Sequence, residues 1–222
     1  MKNITLIFTK HRESGNCNII ELLKIFESIQ PEVIFEEISP DRYDDYYKEN
    51  SVSSLETNTI KKYMSENKIK HIPVDKNFDM EEIKRQFDNF TYLNKIFFDN
   101  SSEYCYIWDN ILYMTNIKGF EYLNSENYTR HTEELHFLEN DMINFFKNEE
   151  LINRYNLWLS NLNERENEMI NNIYNFSNEN DFNKAIFCIG AEHKLSIIKK
   201  ISEKSNNENI INWIYNKDKI LI

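Results

Sequence analysis

Cysteine, glycine and proline are scarce in this sequence, with three of each among 222 residues. The few glycines and prolines favour a helix-rich chain with short connections. The cysteines, Cys17, Cys105 and Cys188, form an odd and widely spaced set that indicates neither a disulfide framework nor a thiolate zinc site. Cys17 lies near the site predicted below and could act as a nucleophile, but a packed, unreactive thiol is the favoured interpretation.

Positive charge and long apolar runs are also scarce. Lys and Arg number 26 against 37 Asp and Glu, giving a net charge of −11, which argues against a nucleic-acid partner because phosphate binding needs a basic surface. No apolar run approaches the length of a membrane span. The N-terminal run is too short for a signal peptide and meets Lys10 at once. We expect a cytoplasmic protein without a membrane span, folded as one domain over residues 1–222.

The first forty residues predict a strand, a helix and a second strand. Ile4–Thr9 is a β-branched and aromatic run typical of a buried strand. Apolar residues at helical spacing follow, and Pro31 ends that helix. Val33–Phe35 opens the second strand, which closes on Glu36 and Glu37. A βαβ unit of this length predicts two parallel strands joined by a right-handed crossover.

Strands return only late in the chain. His71–Val74 predicts a third strand, which Pro73 assigns to an edge or a strand end. Ala185–Ile189, a helix from Leu195 and a strand at Ile210–Tyr215 predict a second βαβ unit. The predicted class is therefore α/β, or α+β by helix content, with a small, mainly parallel sheet. The sheet core covers residues 1–78 and 183–222.

A helical insertion is predicted over residues 79–182. Asp79 with Glu82 indicates a capping box, and a further helix is predicted to begin at Thr132. Residues 151–173 are expected to form one or two helices. The aromatic stripes of this region favour core packing, although they could also wall a pocket for an apolar ligand.

Titratable residues follow four of the predicted strands, namely His11, Glu37, Asp75 and His193. Because the carboxyl ends of parallel strands share one edge of a sheet, where ligands bind, we expect a polar site there. Arg165 shares a helix face with apolar residues. It could either reach solvent along the core or hold a carboxylate at the strand ends, and its spacing leaves both open.

Several of these segments resemble the TraB/Tiki superfamily. They are Ile7–His11 with Ser14, Pro31–Ile38, Asp41–Tyr43, the third strand His71–Asp75, Glu164–Met169 and Gly190–His193. The family pattern is Gly-Thr-x-His, a Glu ending the second strand, a helix with Glu-Arg-x-x-x-Met, and a late Gly-Ala-x-His. The chain departs from this pattern at Phe8, which replaces the family glycine and would be expected to narrow the approach to His11.

The resemblance implies a fold like that of erythromycin esterases and ChaN-like haem-uptake proteins, and a metal-assisted hydrolase of peptides or small molecules. His11, Glu37 and His193 would then hold a divalent metal such as Mn, Co or Zn, and the metal would activate water. Glu36 or Asp75 would orient or deprotonate that water, and Arg165 would stabilise the oxyanion or hold a substrate carboxylate.

The resemblance also assigns substrate binding to Arg42 and Tyr43. Erythromycin-esterase relatives imply a metal-free alternative with His11 as general base.

Two further interpretations stay open. A catalytically inactive binding module would use the same pocket for a small apolar ligand such as haem. An interaction protein would instead use the helical insertion as a docking surface, with exposed apolar side chains over Thr91–Phe146. A homodimer is compatible with each interpretation.

Overall fold

The computed structural model describes residues 1–48, 52–205 and 210–215. Its five strands are β1 (Lys2–Thr9), β2 (Val33–Glu36), β3 (Lys70–Pro73), β4 (Lys184–Gly190) and β5 (Ile211–Ile214). They form one sheet in the order β3-β2-β4-β1-β5, and every neighbouring pair is parallel. The predicted α/β class with a parallel sheet is confirmed, and β3 lies at an edge as Pro73 indicates.

The strand order brings the first strand, β1, beside the late strand β4 in the middle of the sheet. β4 lies between β1 and β2, so the first two strands are parallel but are not neighbours. Thr9 pairs with Gly190, and Glu36 pairs with Cys188. These registers end β1, β2 and β4 at nearly the same level, which places the residues after them at one edge.

Nine α-helices connect the described strands. They are α1 (Ile19–Ile29), α2 (Tyr43–Tyr47), α3 (Leu55–Glu66), α4 (Met80–Asn100), α5 (Ser102–Lys118), α6 (Phe120–Leu123), α7 (Glu126–Phe146), α8 (Glu149–Glu179) and α9 (Lys194–Ser205). Short 3-10 turns cover Pro40–Arg42 and Ala191–His193. Helices α4 to α8 all lie between β3 and β4, within the predicted insertion. No helix in these described ranges is long and apolar enough to cross a bilayer.

Side-chain caps explain where the insertion helices begin. Asp79 accepts the backbone N–H of Glu82, which is one of the two hydrogen bonds of the predicted capping box. The predicted helix start at Thr132 is wrong, because Ser125 caps α7 and the helix begins at Glu126. The Thr132 hydroxyl instead donates to the Tyr128 carbonyl inside the helix. The region predicted as one or two helices is the single helix α8.

The position of Phe8 corrects the expectation that it narrows the approach to His11. Phe8 is fully buried in the core and lines neither of the two large cavities described below. Asn124 holds its backbone on the edge that β5 does not reach, accepting from the Phe8 N–H at 3.0 Å and donating to its carbonyl at 3.1 Å. The Lys194 ammonium lies 5.4 Å from the centre of its ring.

Candidate active site

A cavity of about 530 Å³ opens at the carboxyl edge of the sheet. The four predicted strand-end residues line it together with one arginine from the insertion: His11, Glu37, Asp75, His193 and Arg165. Each comes from a different strand end or from α8. The fold therefore gathers into one space residues that lie far apart in the sequence.

Glu37 is the centre of the hydrogen-bond network in this cavity. Its Oε2 accepts the Gly190 backbone N–H at 2.6 Å. Its Oε1 accepts from Arg165 Nη2 at 2.5 Å and faces His193 Nε2 at 3.2 Å. Burial favours the neutral acid, but the charges of His193 and Arg165 outweigh it and hold the pKa of Glu37 well below its ordinary value. The carboxylate stays ionised although it is buried.

Arg165 bridges two carboxylates. Its Nε and Nη2 donate to Asp75 at 2.8 to 3.2 Å, in addition to the contact with Glu37. Burial alone would lower the pKa of Arg165, but the two acids raise it above its ordinary value. Nη1 makes no hydrogen bond to any part of the chain that the structure describes. Of the two interpretations left open by the spacing, Arg165 therefore follows the one in which it holds carboxylates at the strand ends.

His193 lies between two acids. Its Nδ1 is 2.8 Å from Glu166 Oε1, and its Nε2 faces Glu37. Burial opposes protonation, but these carboxylates raise the pKa of His193 to about 10, so it is an imidazolium at neutral pH. Glu166 is held in turn by Ser196 and by Lys200, the latter at 2.9 Å.

Glu166 was not singled out from the sequence, although it stands beside Arg165 in the Glu164–Met169 motif.

His11 is paired with an acid that the sequence analysis missed. Its Nδ1 lies 3.5 Å from Glu56 Oε1, and the same oxygen accepts the Thr9 hydroxyl at 2.6 Å. The hydrogen bond to Glu56 is the main cause that raises the pKa of His11 to about 9, with smaller contributions from Glu37 and Glu192. Glu56 lies in the first turn of a helix, where an acid is typical for dipole reasons alone, so its sequence context carried no catalytic signal.

Gly190 leaves room for the side chains around it. A Cβ atom added to this residue would lie 3.2 Å from Glu37 Oε2 and 3.8 Å from both His11 Nε2 and His193 Cδ2. The two imidazoles and the Glu37 carboxylate therefore border the same small space. A side chain at this position would compete with any ligand there.

No family model, curated protein or solved structure matches the chain.

The residues predicted to bind a metal are not arranged as a metal-ligand set. Both ring nitrogens of His193 face carboxylates, and both oxygens of Glu37 already accept N–H groups. Among the residues described, no group of three His, Cys, Asp or Glu side chains could hold a metal ion. Of the described histidines that line the cavity, only His11 offers it a ring nitrogen, Nε2, that does not face a carboxylate. The predicted metal stays an untested hypothesis, which this donor arrangement does not fit.

Two of the other predicted site residues, Glu36 and Arg42, border the cavity. The Glu36 carboxylate accepts from Tyr47 at 2.6 Å and Thr57 at 3.1 Å, and it lies 2.8 Å from His71 Nε2, so both of its oxygens have partners. Arg42 lines the cavity and donates to Asp45 at 3.1 Å.

Tyr43 lies outside the lining, with its ring stacked on Tyr47 at 4.8 Å, while Tyr46 lines the cavity. Cys17 is fully buried, and burial raises the pKa of its thiol to about 12, which agrees with the packed-thiol interpretation.

Proposed function

We propose that the chain is a hydrolase of small-molecule esters or amides in which His11 activates water without a metal. The observation that carries this proposal is the His11–Glu56 pair, which lines the same cavity as the Arg165 guanidinium. His11 has an accessible Nε2 that borders the space above Gly190, and its Nδ1 is oriented by a buried acid. An oriented imidazole with one free nitrogen is the usual form of a general base.

The proposed reaction begins with neutral His11, whose Nδ1–H donates to Glu56. Its Nε2 removes a proton from a water molecule as the water oxygen forms a bond to the substrate carbonyl carbon. The carbonyl π electrons move to the carbonyl oxygen. The N–H groups of Arg165 Nη1 then donate to the resulting oxyanion. The oxyanion then collapses, the bond to the leaving oxygen or nitrogen breaks, and the leaving group takes the proton from His11.

The remaining charges position Arg165 for this role. Glu37 and Asp75 fix Nε and Nη2, and Nη1 has no hydrogen bond within the described part of the chain. His193 and Gly190 fix Glu37 in turn. Because these dipoles and charges are held before substrate binds, they need little reorganisation during the reaction. The order of the motifs is similar to that of TraB/Tiki proteins, and an erythromycin-esterase-like fold and mechanism belong to the same proposal.

The test is hydrolysis of a panel of p-nitrophenyl esters and p-nitroanilides by protein dialysed against EDTA. His11→Gln should lower kcat/KM by about 100-fold or more, the usual contribution of a general base. The matched control is His131→Gln, because His131 lies outside both cavities and its Nδ1 pairs with the Tyr122 hydroxyl at 2.7 Å. Hydrolysis that is equal in wild type and His11→Gln would refute the role of His11.

Exposed aromatic residues on the insertion favour a second candidate, the interaction protein. Within Thr91–Phe146, Tyr106 is 69% exposed, Phe137 is 71% exposed and Phe145 is 80% exposed. The same stretch also contributes fully buried residues to the core, so it is not only a docking surface. Light scattering over a range of concentrations tests self-association. A mass that stays monomeric at the highest concentration would remove the homodimer form of this candidate.

A further inference from the structure

A second cavity of about 690 Å³ lies inside the helical insertion, next to the candidate active site. Its walls come mainly from α4, α5, α7 and α8 and are largely apolar and aromatic. The two cavities share several lining residues, among them His11, Gly190, Phe90, Trp158 and Leu162. We call the second cavity the apolar chamber. A ligand that fills it would reach His11 at the shared boundary.

The apolar chamber contains a buried carboxylate, that of Glu139 on α7. Glu139 is 5% exposed, and its oxygens accept from the Tyr104 and Tyr155 hydroxyls at 3.2 and 3.4 Å. Hydrogen bonds from hydroxyl groups to carboxylates are usually shorter than 2.8 Å, so both contacts are weak. No cation forms an ion pair with Glu139 anywhere in the described ranges. Glu166, another buried acid that lines the chamber, is instead paired with His193 and Lys200.

The surroundings of Glu139 explain why the pKa of its carboxyl group is raised. It faces Tyr104 from α5 and Tyr155 from α8, and His136 lines the same chamber from its own helix. Burial outweighs the two tyrosine hydrogen bonds and raises the pKa of Glu139 to about 7. Burial also lowers the pKa of His136, so the imidazole supplies no charge to balance the carboxylate. A buried carboxylate without a cation is costly, and a positively charged ligand group would relieve that cost.

Aromatic rings surround this carboxylate. The Phe97 ring centre lies 5.5 Å from that of Tyr104 and 6.1 Å from that of Tyr155, and Tyr155 lies 5.7 Å from Trp158. Aromatic faces attract ammonium groups, most strongly where water is excluded. An acid among such rings fits a protonated amine better than it fits a neutral polar group.

We propose that the apolar chamber binds an apolar, amine-bearing arm of the substrate, with the protonated amine paired to Glu139 and the scissile ester or amide at His11. This assignment names the substrate class and rests on the proposed hydrolase function. It requires an arm long enough to extend from the shared boundary of the cavities to α7. Apolar burial supplies affinity, and the charge pair selects amines over alcohols and acids.

The binding test does not depend on hydrolysis. Two of the three tryptophans, Trp108 and Trp158, line the chamber, so their fluorescence reports its occupancy. The probes are n-decylamine, n-decanol and decanoate at about pH 8, where Glu139 is mostly ionised and the amine is protonated. We expect decylamine to bind about ten-fold or more tightly than decanol, and decanoate to bind most weakly.

Matched variants separate this pairing from general attraction of cations to an acidic protein. Glu139→Gln should weaken decylamine binding by about ten-fold and leave decanol binding nearly unchanged. Glu134→Gln, an exposed position on the same helix, should leave both unchanged. Decylamine binding that is equal in wild type and Glu139→Gln would overturn the proposal. If Glu139→Gln fails to fold, the relative affinities of wild type for the three probes test the proposal instead. Decanoate that binds as tightly as decylamine would then overturn the proposal.

Hydrolysis then distinguishes the two proposals. The substrates are p-nitrophenyl esters of ω-amino acids and of plain fatty acids, matched in chain length over a series. Glu139→Gln should lower kcat/KM for the amino esters only, whereas His11→Gln should lower it for both and leave decylamine binding intact. Amine-selective binding without ester hydrolysis would refute the hydrolase and retain the amine site. Hydrolysis without amine preference would refute the amine site alone.

Discussion

Removing the charge of Glu56 is expected to lower the pKa of His11, and this effect can be measured without a substrate. The pKa of His11 is raised from 6.5 to about 9, with the hydrogen bond to Glu56 as the largest cause. Glu56→Gln keeps the size of the side chain and an acceptor oxygen but removes the negative charge. His11 Nδ1 lies 3.5 Å from Glu56 Oε1, and an opposite charge this close typically changes a pKa by about one to three units.

The exposure of His11 limits the magnitude of this change. Its side chain is 56% exposed, so solvent screens the pair, and Glu37 and Glu192 continue to raise the pKa in the variant. We therefore expect a fall of about one to two units rather than a return to the ordinary value.

The assay is a pH titration of the imidazole C–H signals by NMR. The chain has only five histidines, so the His11 signal can be assigned by comparison with His11→Gln. Lys10→Gln, which removes a neighbouring charge of opposite sign, is the matched control and should leave the pKa of His11 close to the wild-type value. A wild-type pKa near 6.5 that does not change in Glu56→Gln would refute the pairing.

Three further predictions test the network around Glu37. Arg165→Met should destabilise the protein by about 3–5 kcal/mol in urea unfolding, because it removes the cation that bridges two buried carboxylates and leaves Asp75 unpaired; a loss below about 1 kcal/mol would contradict the network. Gly190→Ala should lower the rate of ester hydrolysis while the protein stays folded by circular dichroism, because its Cβ would lie 3.2 Å from Glu37 Oε2 and shift that carboxylate, and full activity would refute the close approach. Metal content should be equal in wild type and in a His11→Ala, Glu37→Ala double variant, since the donors do not form a ligand set; more metal in wild type would restore the metal-assisted mechanism.

The dependence of stability on pH gives a separate prediction. The pKa of His193 is raised from 6.5 to about 10, so its contribution to stability is complete below pH 6.5 and is lost as the pH rises through about 10. The pKa of Glu37 is lowered from 4.5, so its contribution is present above pH 4.5 and is lost as the pH falls. The urea midpoint should therefore be highest between about pH 4.5 and pH 6.5, where both contributions are complete. Glu37→Gln should reduce the loss of stability on both the acid and the alkaline side. A dependence of the urea midpoint on pH that is the same in wild type and Glu37→Gln would contradict the pairing of Glu37 with His193.

The edge of the sheet could be predicted from the sequence because strand ends are local features. Apolar runs such as Ile4–Thr9 and Ala185–Ile189 show where each strand stops, and parallel pairing then requires their ends to meet. The strand order could not be predicted in the same way. Nothing local to β1 or β2 indicates that β4 lies between them, because this neighbour relation depends on contacts across most of the chain.

The acids of the site were predictable only where a strand end marked them. Glu56, Glu139 and Glu166 lie on helices, where an acidic residue is usually a solvated surface group. Their burial depends on which helix face meets the sheet or another helix, and mixed polar composition obscures that face. The start of α7 was missed for a related reason, because Ser125 and Thr132 are both acceptable caps and only packing selects one.

The pH dependence of ester hydrolysis by metal-stripped protein tests the central claim most directly, since that claim is that neutral His11 activates water at this edge of the sheet. We predict that kcat/KM for the best ester rises with pH through an apparent pKa of about 9, that of His11 in the free protein, and that His11→Gln removes this rise. A profile that does not change with pH, or activity that appears only after a divalent metal is added back, would contradict it.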